Sequence, residues 1–363
     1  MTAITLRLGT DVDRPEILAR TEEVFGSPVA RRSERLWDWQ WHGDPRLPTP
    51  GYRGIVAEWQ GRIIANLATI PAGLHLHGEL TEAWWLVDAL VHWGLTRRAL
   101  REAKRERGDA AGGEGPDLSR GIAAALLGHP AAGPIQLAKH IADAMRTIGL
   151  RIGFAPQAHT GSRHRRVSLR HPIARGIGDG LARPLAAVMD LALPRIPRPR
   201  PPVAALDGTF DQRFDALWDQ ARAAYPAICL RDHATLTWRY QAHPDQDYRT
   251  LVLDGDRGLR GYCVFKVFEQ DRRRRGKIVD LLTLPGDAAG RQALLAGALG
   301  QMRRAGAERA ECFVSGAAME QTLAGLGFRE RLPKSGRPQP LLTRFLPEGT
   351  GEVYVSQGDG DGG

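Results

Sequence analysis

Trp39-Gln40-Trp41-His42-Gly43-Asp44-Pro45 and Trp238-Arg239-Tyr240-Gln241-Ala242-His243-Pro244 carry an aromatic-x-aromatic pair and a proline at the same offset. A match this short arises by chance, so its weight depends on the residues downstream of each copy. Both copies run through a tyrosine (Tyr52, Tyr248) into an alternating apolar run, Ile55-Val56-Ala57 or Leu251-Val252-Leu253. A turn comes after each run, Gln60-Gly61-Arg62 or Asp254-Gly255-Asp256-Arg257-Gly258. Glycine and aspartate accept the backbone angles that a tight hairpin imposes, so each turn predicts a strand pair. Next come Leu86-Val87-Asp88-Ala89-Leu90 and Ile278-Val279-Asp280-Leu281-Leu282, then an apolar helix, residues 121–127 or 292–302. Four matches in one order predict a tandem duplication of one α/β unit.

Length agrees with duplication. The 363 residues exceed one comfortable core, since domains run to roughly 100–200 residues. An apolar fraction of 42% and a charged fraction of 25% are those of a globular chain and exclude wholesale disorder and fibrous classes. The formal charge of +9 is carried by 45 Arg against 5 Lys. That skew accompanies abundant alanine and glycine, as a biased genome composition produces, whereas nucleic-acid binders use both basic residues. A basic surface still attracts anions such as a diphosphate. Cys229, Cys263 and Cys312 are odd in number and lack zinc-ligand spacing, so no metal site and a reducing compartment are expected. No basic-then-apolar leader opens the sequence, and no apolar run approaches the roughly 20 residues of a membrane span. A cytoplasmic protein is expected.

The run Leu193-Pro194-Arg195-Ile196-Pro197-Arg198-Pro199-Arg200-Pro201-Pro202 prevents helix and favours an extended connector. It places a first module over residues 1–192, a linker over 193–204 and a second module over 205–347. Residues 97–115, charged and then rich in glycine, alanine and aspartate, read as a loop inserted into the first module. Residues 348–363 read as a flexible tail, since its end, Gln357-Gly358-Asp359-Gly360-Asp361-Gly362-Gly363, has no apolar anchor.

Strand hairpin, central strand, helix, strand, helix and a terminal Leu-x-x-x-Gly-Phe, here Leu323-Ala324-Gly325-Leu326-Gly327-Phe328, is the order of the GNAT (Gcn5-related N-acetyltransferase) superfamily, which both halves resemble. With Arg231-Asp232, Leu236, Trp238-Arg239-Tyr240 and His243-Pro244, the chain looks like the two-module bacterial members discussed beside FemAB-like transferases. The resemblance implies an α/β (α+β) fold of two tandem modules, each a mixed central sheet flanked by helices. It also implies acyl transfer from acetyl-CoA or another acyl-CoA to a small-molecule, sugar or peptide amine.

In that superfamily a glycine-containing turn opens a helix whose free backbone N–H groups face the CoA diphosphate. The superfamily pattern Gln/Arg-x-x-Gly-x-Gly/Ala is best matched by Leu118-Ser119-Arg120-Gly121-Ile122-Ala123. Cofactor contacts are therefore expected at Ser119, Arg120, Gly121, Ile122 and Ala123, and at Ala89, Leu90 and Val91 of the central strand. The second half has Asp287-Ala288-Ala289-Gly290 at the equivalent turn, where a carboxylate repels a diphosphate, so the cofactor is expected in the first module. Amine attack on a thioester needs a base, and Asp88 and Glu82 are the candidates by resemblance. Asp280 is the counterpart of Asp88. The tyrosine that many relatives use to protonate the leaving thiolate is replaced in the second half by Leu323, and the first half has no tyrosine after Gly153-Phe154, where His164 could substitute.

Three other readings stay open. Arg163-His164-Arg165-Arg166 and Arg272-Arg273-Arg274-Arg275 could contact nucleic-acid phosphates, but no aromatics interleave them and no DNA- or RNA-binding motif accompanies them. The protein could be a non-catalytic scaffold of the same fold. It could also be a FemAB-like aminoacyl transferase. The tryptophans Trp37, Trp39, Trp41, Trp84, Trp85 and Trp238 are expected in the cores, with Trp39 and Trp238 packed alike.

Overall fold

The computed structural model describes residues 4–106, 117–139, 142–169, 184–185, 188–330 and 339–360. Strand β1 (Thr5–Gly9) leads into helices α1 (Arg14–Phe25) and α2 (Ser27–Trp41). Strands β2 (Gly54–Trp59), β3 (Arg62–Pro71), β4 (Leu74–Leu76), β5 (Glu79–Thr81) and β6 (Trp84–Val91) come next. Helices α3 (Trp93–Glu106) and α4 (Asp117–Gly128) precede β7 (Gln136–Ala138), α5 (Asp143–Arg151), β8 (Ala155–Pro156) and β9 (Thr160–Arg166). The second half continues with β10 (Ala204–Ala205), α6 (Gln212–Arg222), β11 (Ala227–Cys229) and α7 (His233–Leu236), which a π turn extends over Thr237–Gln241. It then runs through β12 (Arg249–Gly255), β13 (Gly258–Gln270), β14 (Arg273–Thr283), α8 (Ala288–Arg304), β15 (Arg309–Ser315), α9 (Ala317–Gly325) and β16 (Arg329–Glu330). Strands β17 (Leu342–Arg344) and β18 (Val353–Tyr354) come last.

The repeated order is plain: a strand, two helical segments, a hairpin, a long central strand, helix, parallel strand, helix and a short strand occur in each half. Local chemistry sets the joints. Gly26, at φ +88, separates α1 from α2, and Asp211 and Asp232 cap α6 and α7 by accepting from Arg213 N and Thr235 N. Gln60 and Gly61 take φ +52 and +69 in the β2–β3 turn, the mirror-image conformation that suits a two-residue hairpin.

The chain forms two compact units whose boundaries interleave. One comprises Met1–Gly73, Glu82–Pro156 and Leu342–Glu348; the other comprises Leu74–Thr81, Gln157–Leu341 and Gly349–Gly363. In the first, the sheet order is β1-β2-β3-β6-β7-β17-β8. Leu95 and Ala99 of α3 and Ile122, Ala123 and Leu126 of α4 pack on its Ile55, Leu67, Leu86 and Val91. In the second, the order is β10-β12-β13-β14-β15-β9-β16. Alternation along β13 sends Cys263 and Phe265 towards Leu294, Leu299 and Met302 of α8, and Tyr262 and Val264 towards Phe214, Leu217 and Leu236 of α6 and α7. Burial on both faces is why that strand reads as an unbroken apolar run.

The sixth strand of each sheet comes from the other half of the sequence. β17 pairs antiparallel with β7 and β8, and β9 pairs antiparallel with β15 and β16. Residues 157–166 therefore belong to the second unit and 342–344 to the first, whereas the linker at 193–204 had suggested a sequential division. The linker itself is extended, with Ile196 and Val203 packed against the second unit's core.

Two further expectations are corrected. The 348–363 segment is not a free tail through residue 360: Val353–Tyr354 pairs with Ala227–Ile228, and Ser356, Gln357 and Asp359 are buried. Its few apolar residues suffice because backbone pairing and a buried ion pair hold the rest. Residues 97–106 are not loop but the body of α3, whose Ala99 is buried; the remainder of the proposed insertion, 107–115, lies outside the described residues. Among the tryptophans, Trp37, Trp41, Trp84, Trp85 and Trp238 are buried, but Trp39 is only half-buried, so it does not match Trp238. Cys229, Cys263 and Cys312 form no disulfide among the described residues and are buried. No helix among the described residues is long and apolar enough to cross a membrane.

Candidate acyl-transfer site

In the first unit, β3 and β6 slip against each other. Asn66 pairs with Leu90 and Ala68 with Val87, so Asp88 and Ala89 bulge from the ladder opposite Leu67. Asp88 takes φ +47, a conformation aspartate tolerates better than most residues. Two side chains hold the bulge. Asn66 Nδ2 donates to the Asp88 carbonyl at 2.9 Å, and Nε2 of Gln40, buried on α2, donates to Asp88 Oδ2 at 3.1 Å.

Among the described residues, the opposite edge of β6 is covered only at its start. β7 runs parallel to β6 but pairs only at Trp84–Gln136 and Trp85–Leu137, after which no described strand accompanies β6 on that side. Asp88 and Ala89 are consequently exposed although they lie on a central strand, while Leu90 and Val91 turn into the core. Exposed strand backbone of this kind is a template for an extended, amide-bearing chain.

The second unit has the same construction with a different outcome. β14 pairs with β15 from Arg275–Arg309 to Ile278–Cys312 and then separates, and a bulge falls between Ile278 and Asp280. Here the opening is filled by residues 353–359. Gly358 N–H donates to the Val279 carbonyl at 2.8 Å, and the Tyr354 hydroxyl donates to the Leu281 carbonyl. A Cβ on Gly358 would stand 2.1 Å from the Tyr240 hydroxyl, so only glycine passes there.

Asp280 is accordingly buried, accepting from Arg231 Nε at 3.1 Å, the Tyr262 hydroxyl at 3.0 Å and Leu281 N at 2.9 Å. Arg231 also donates to Asp359 Oδ2 at 2.7 Å and the Cys229 carbonyl at 2.6 Å. Burial alone would lower the Arg231 pKa, but Asp280 and Asp359 outweigh it and hold the guanidinium charged. The acid repeated in both copies is thus a structural ligand in the second and a solvent-facing group in the first.

The helix starts differ as well. In the second unit, Asp287 caps α8, accepting from Gly290 N at 2.8 Å, and pairs with Arg260 at 2.8 Å. A carboxylate occupies the place an anion would take. In the first unit, α3 starts directly after β6, and His92 Nδ1 accepts from Leu95 N at 3.1 Å. Gly121 is the fifth residue of α4, inside the helix rather than in a turn that opens it. Its surroundings are open, but Ile122 and Ala123 are in the core. The side chains of Ser119 and Arg120 lie outside the described residues.

Glu82 and Asp88 are not brought together. Glu82 precedes β6, accepts from Trp84 Nε1 at 3.0 Å, and is separated from Asp88 by a strand length of about 20 Å. Sequence reasoning missed Gln40, which lies between the repeated aromatics, and the α3 start, where Gly94 was the available signal. The basic run in β9 is structural: Arg163 pairs with Glu320, and buried Arg165 donates to the Leu326 and Pro194 carbonyls. His164 faces Glu311 at 3.8 Å.

No description of a protein family matches the chain, and no curated protein does. Solved structures do resemble it. A conserved protein of unknown function from Enterococcus faecalis, a probable N-acyltransferase, superposes with a TM-score of 0.57 at 10% identity, covering 94% of this chain and 73% of that one. A GCN5-related N-acetyltransferase from Anabaena variabilis gives 0.54 at 12% identity, with 94% and 73% covered. Saccharomyces cerevisiae N-myristoyltransferase with bound myristoyl-CoA gives 0.53 at 11% identity, with 94% and 82% covered. The chain therefore has the α/β fold of the GCN5-related N-acetyltransferases, in two modules.

Proposed function

We propose that the chain transfers an acyl group from acetyl-CoA or another acyl-CoA to an amine, in the first unit. The observation that carries this reading is the edge of β6 at Ala89–Val91, which no described strand accompanies, set against the filled edge of β14. The amide-bearing arm of CoA pairs with that edge at Ala89, Leu90 and Val91, and a strand N–H polarises the thioester carbonyl. Asp88, oriented by Gln40, removes a proton from the acceptor amine, directly or through water. The nitrogen attacks the thioester carbon, a C–N bond forms, the C–S bond breaks, and the departing sulfur takes a proton from solvent. The diphosphate lies on a helix start of the first unit, either at His92–Leu95 of α3 or near the start of α4 along Ser119–Gly121. The acceptor is a small-molecule, sugar or peptide amine.

Calorimetric titration with acetyl-CoA and longer acyl-CoAs tests the reading. One saturable site per chain, with acyl transfer to an amine panel abolished in Asp88→Asn, is expected. Absence of binding by every acyl-CoA would leave a non-catalytic scaffold, and transfer from aminoacyl-tRNA without CoA would leave a FemAB-like enzyme.

A further inference from the structure

A groove of about 650 Å³ lies on the second unit where the ends of β12, β13 and β14 meet the last turn of α8. Arg249 of β12, Arg274 of β14 and Arg304 of α8 line it, three guanidinium groups brought from three elements to one concavity. Among the described residues, Arg249 and Arg304 make no ion pair, and Arg274 donates only to the Ala305 carbonyl at 3.2 Å. The one acid on the lining, Glu269, stands directly across the ladder from Arg274 yet forms no ion pair with it. Three cations against one anion leave the groove positive, and exposed Arg272 and Arg273 in the adjoining hairpin add to its field.

The rest of the lining suits an organic ligand. Val267 and Phe268 supply apolar surface and Gln301 an amide. A second groove of about 510 Å³, walled by Pro197, Pro199 and Ala296, shares Gln301 and Arg304 with the first. The volumes are those of small-molecule sites. Planar guanidinium forks match phosphate oxygens two at a time, which a lone ammonium cannot do.

We propose that this groove binds a soluble organic phosphate or diphosphate, its anionic head between Arg249, Arg274 and Arg304 and its apolar body against Phe268 or along the proline wall. The site draws on second-unit residues alone and does not depend on acyl transfer taking place in the first.

Inorganic pyrophosphate and hexyl phosphate are titrated into the full chain by calorimetry, alongside vesicles of phosphatidylglycerol. Saturable binding is expected for both soluble probes, and hexyl phosphate is expected to bind more tightly than inorganic phosphate titrated in the same way. In Arg249→Ala/Arg304→Ala, whose exposed side chains leave folding unchanged by circular dichroism, affinity for the soluble probes drops about tenfold or more while acyl-CoA titration is unaltered. Arg304→Lys keeps the charge and recovers part of the loss. Pyrophosphate binding that the double variant leaves intact, or that acyl-CoA displaces, overturns the proposal, as does binding to vesicles alone.

Discussion

Gly358 donates its backbone N–H to the Val279 carbonyl at 2.8 Å, so a segment of the chain itself occupies the strand edge whose counterpart in the first unit no described strand covers. The same segment brings Asp359 to Arg231 at 2.7 Å, both buried. Asp359→Ala leaves a buried guanidinium with one carboxylate partner instead of two and should destabilise the second unit by roughly 3 kcal/mol. Gly358→Val should be at least as damaging, because its side chain enters the Tyr240 hydroxyl. Urea unfolding followed by tryptophan fluorescence measures both; unchanged midpoints would mean that the segment does not hold the unit.

Asp88 and Asp280 hold equivalent places but opposite environments. Asp88→Asn should lower kcat strongly with little change in Tm, since the side chain is exposed. Asp280→Asn should lower Tm and leave the chemistry of the first unit largely intact. Steady-state kinetics with thermal melts separates the two, and reversal of the pattern would move the reaction to the second unit.

The two helix starts of the first unit are competing places for the diphosphate. A glutamate at the one that carries it repels the ligand, so Gly94→Glu and Gly121→Glu should differ in acyl-CoA affinity by about tenfold or more. Gly94 is exposed and Gly121 has open space, so both variants should fold. Equal, undiminished affinity in both would remove the diphosphate from either helix.

Burial pushes the Cys312 thiol up to about 12 and that of Cys263 well above its ordinary value. At pH 8 both stay protonated and shielded, and the thiolate is the reactive form. A native-state titration with an aromatic disulfide reagent should label neither, while labelling after denaturation should reach all three cysteines. Rapid native labelling of Cys263 or Cys312 would contradict the packing of the second core.

Asp13 is held below the ordinary carboxylate range, first by the Arg7 guanidinium, which grips both its oxygens at 2.8 and 2.9 Å, against the opposing effect of burial. A depressed carboxyl pKa adds stability above the unfolded value and loses it as pH falls through the folded one. Arg7→Gln should therefore reduce stability at neutral pH and shrink the difference between neutral and acid conditions. Urea midpoints from pH 7 to pH 2 provide the measurement; identical curves would show that the pair contributes nothing.

The duplication, the hairpins, the long central strands and the helices after them were legible because each depends on residues near one another in sequence. Gly61 and the Asp256-Arg257 turn announced their hairpins, and the apolar run of β13 its double burial. Asp88 stood out through its repeat in Asp280, but nothing local said that one would be exposed and the other buried. Gln40 was hidden because a glutamine between core aromatics has no period or motif of its own.

Sequence alone determined that this protein is built from two related α/β units, since hydrophobic alternation and turn chemistry act over a few residues. Tertiary structure alone decided that β9 and β17 complete the sheets of opposite halves, and that residues 353–359 seal one strand opening while no described strand covers the other. Those choices concern which distant backbone satisfies an unpaired strand edge, and every extended segment offers the same N–H and C=O groups, so only the packed arrangement distinguishes them.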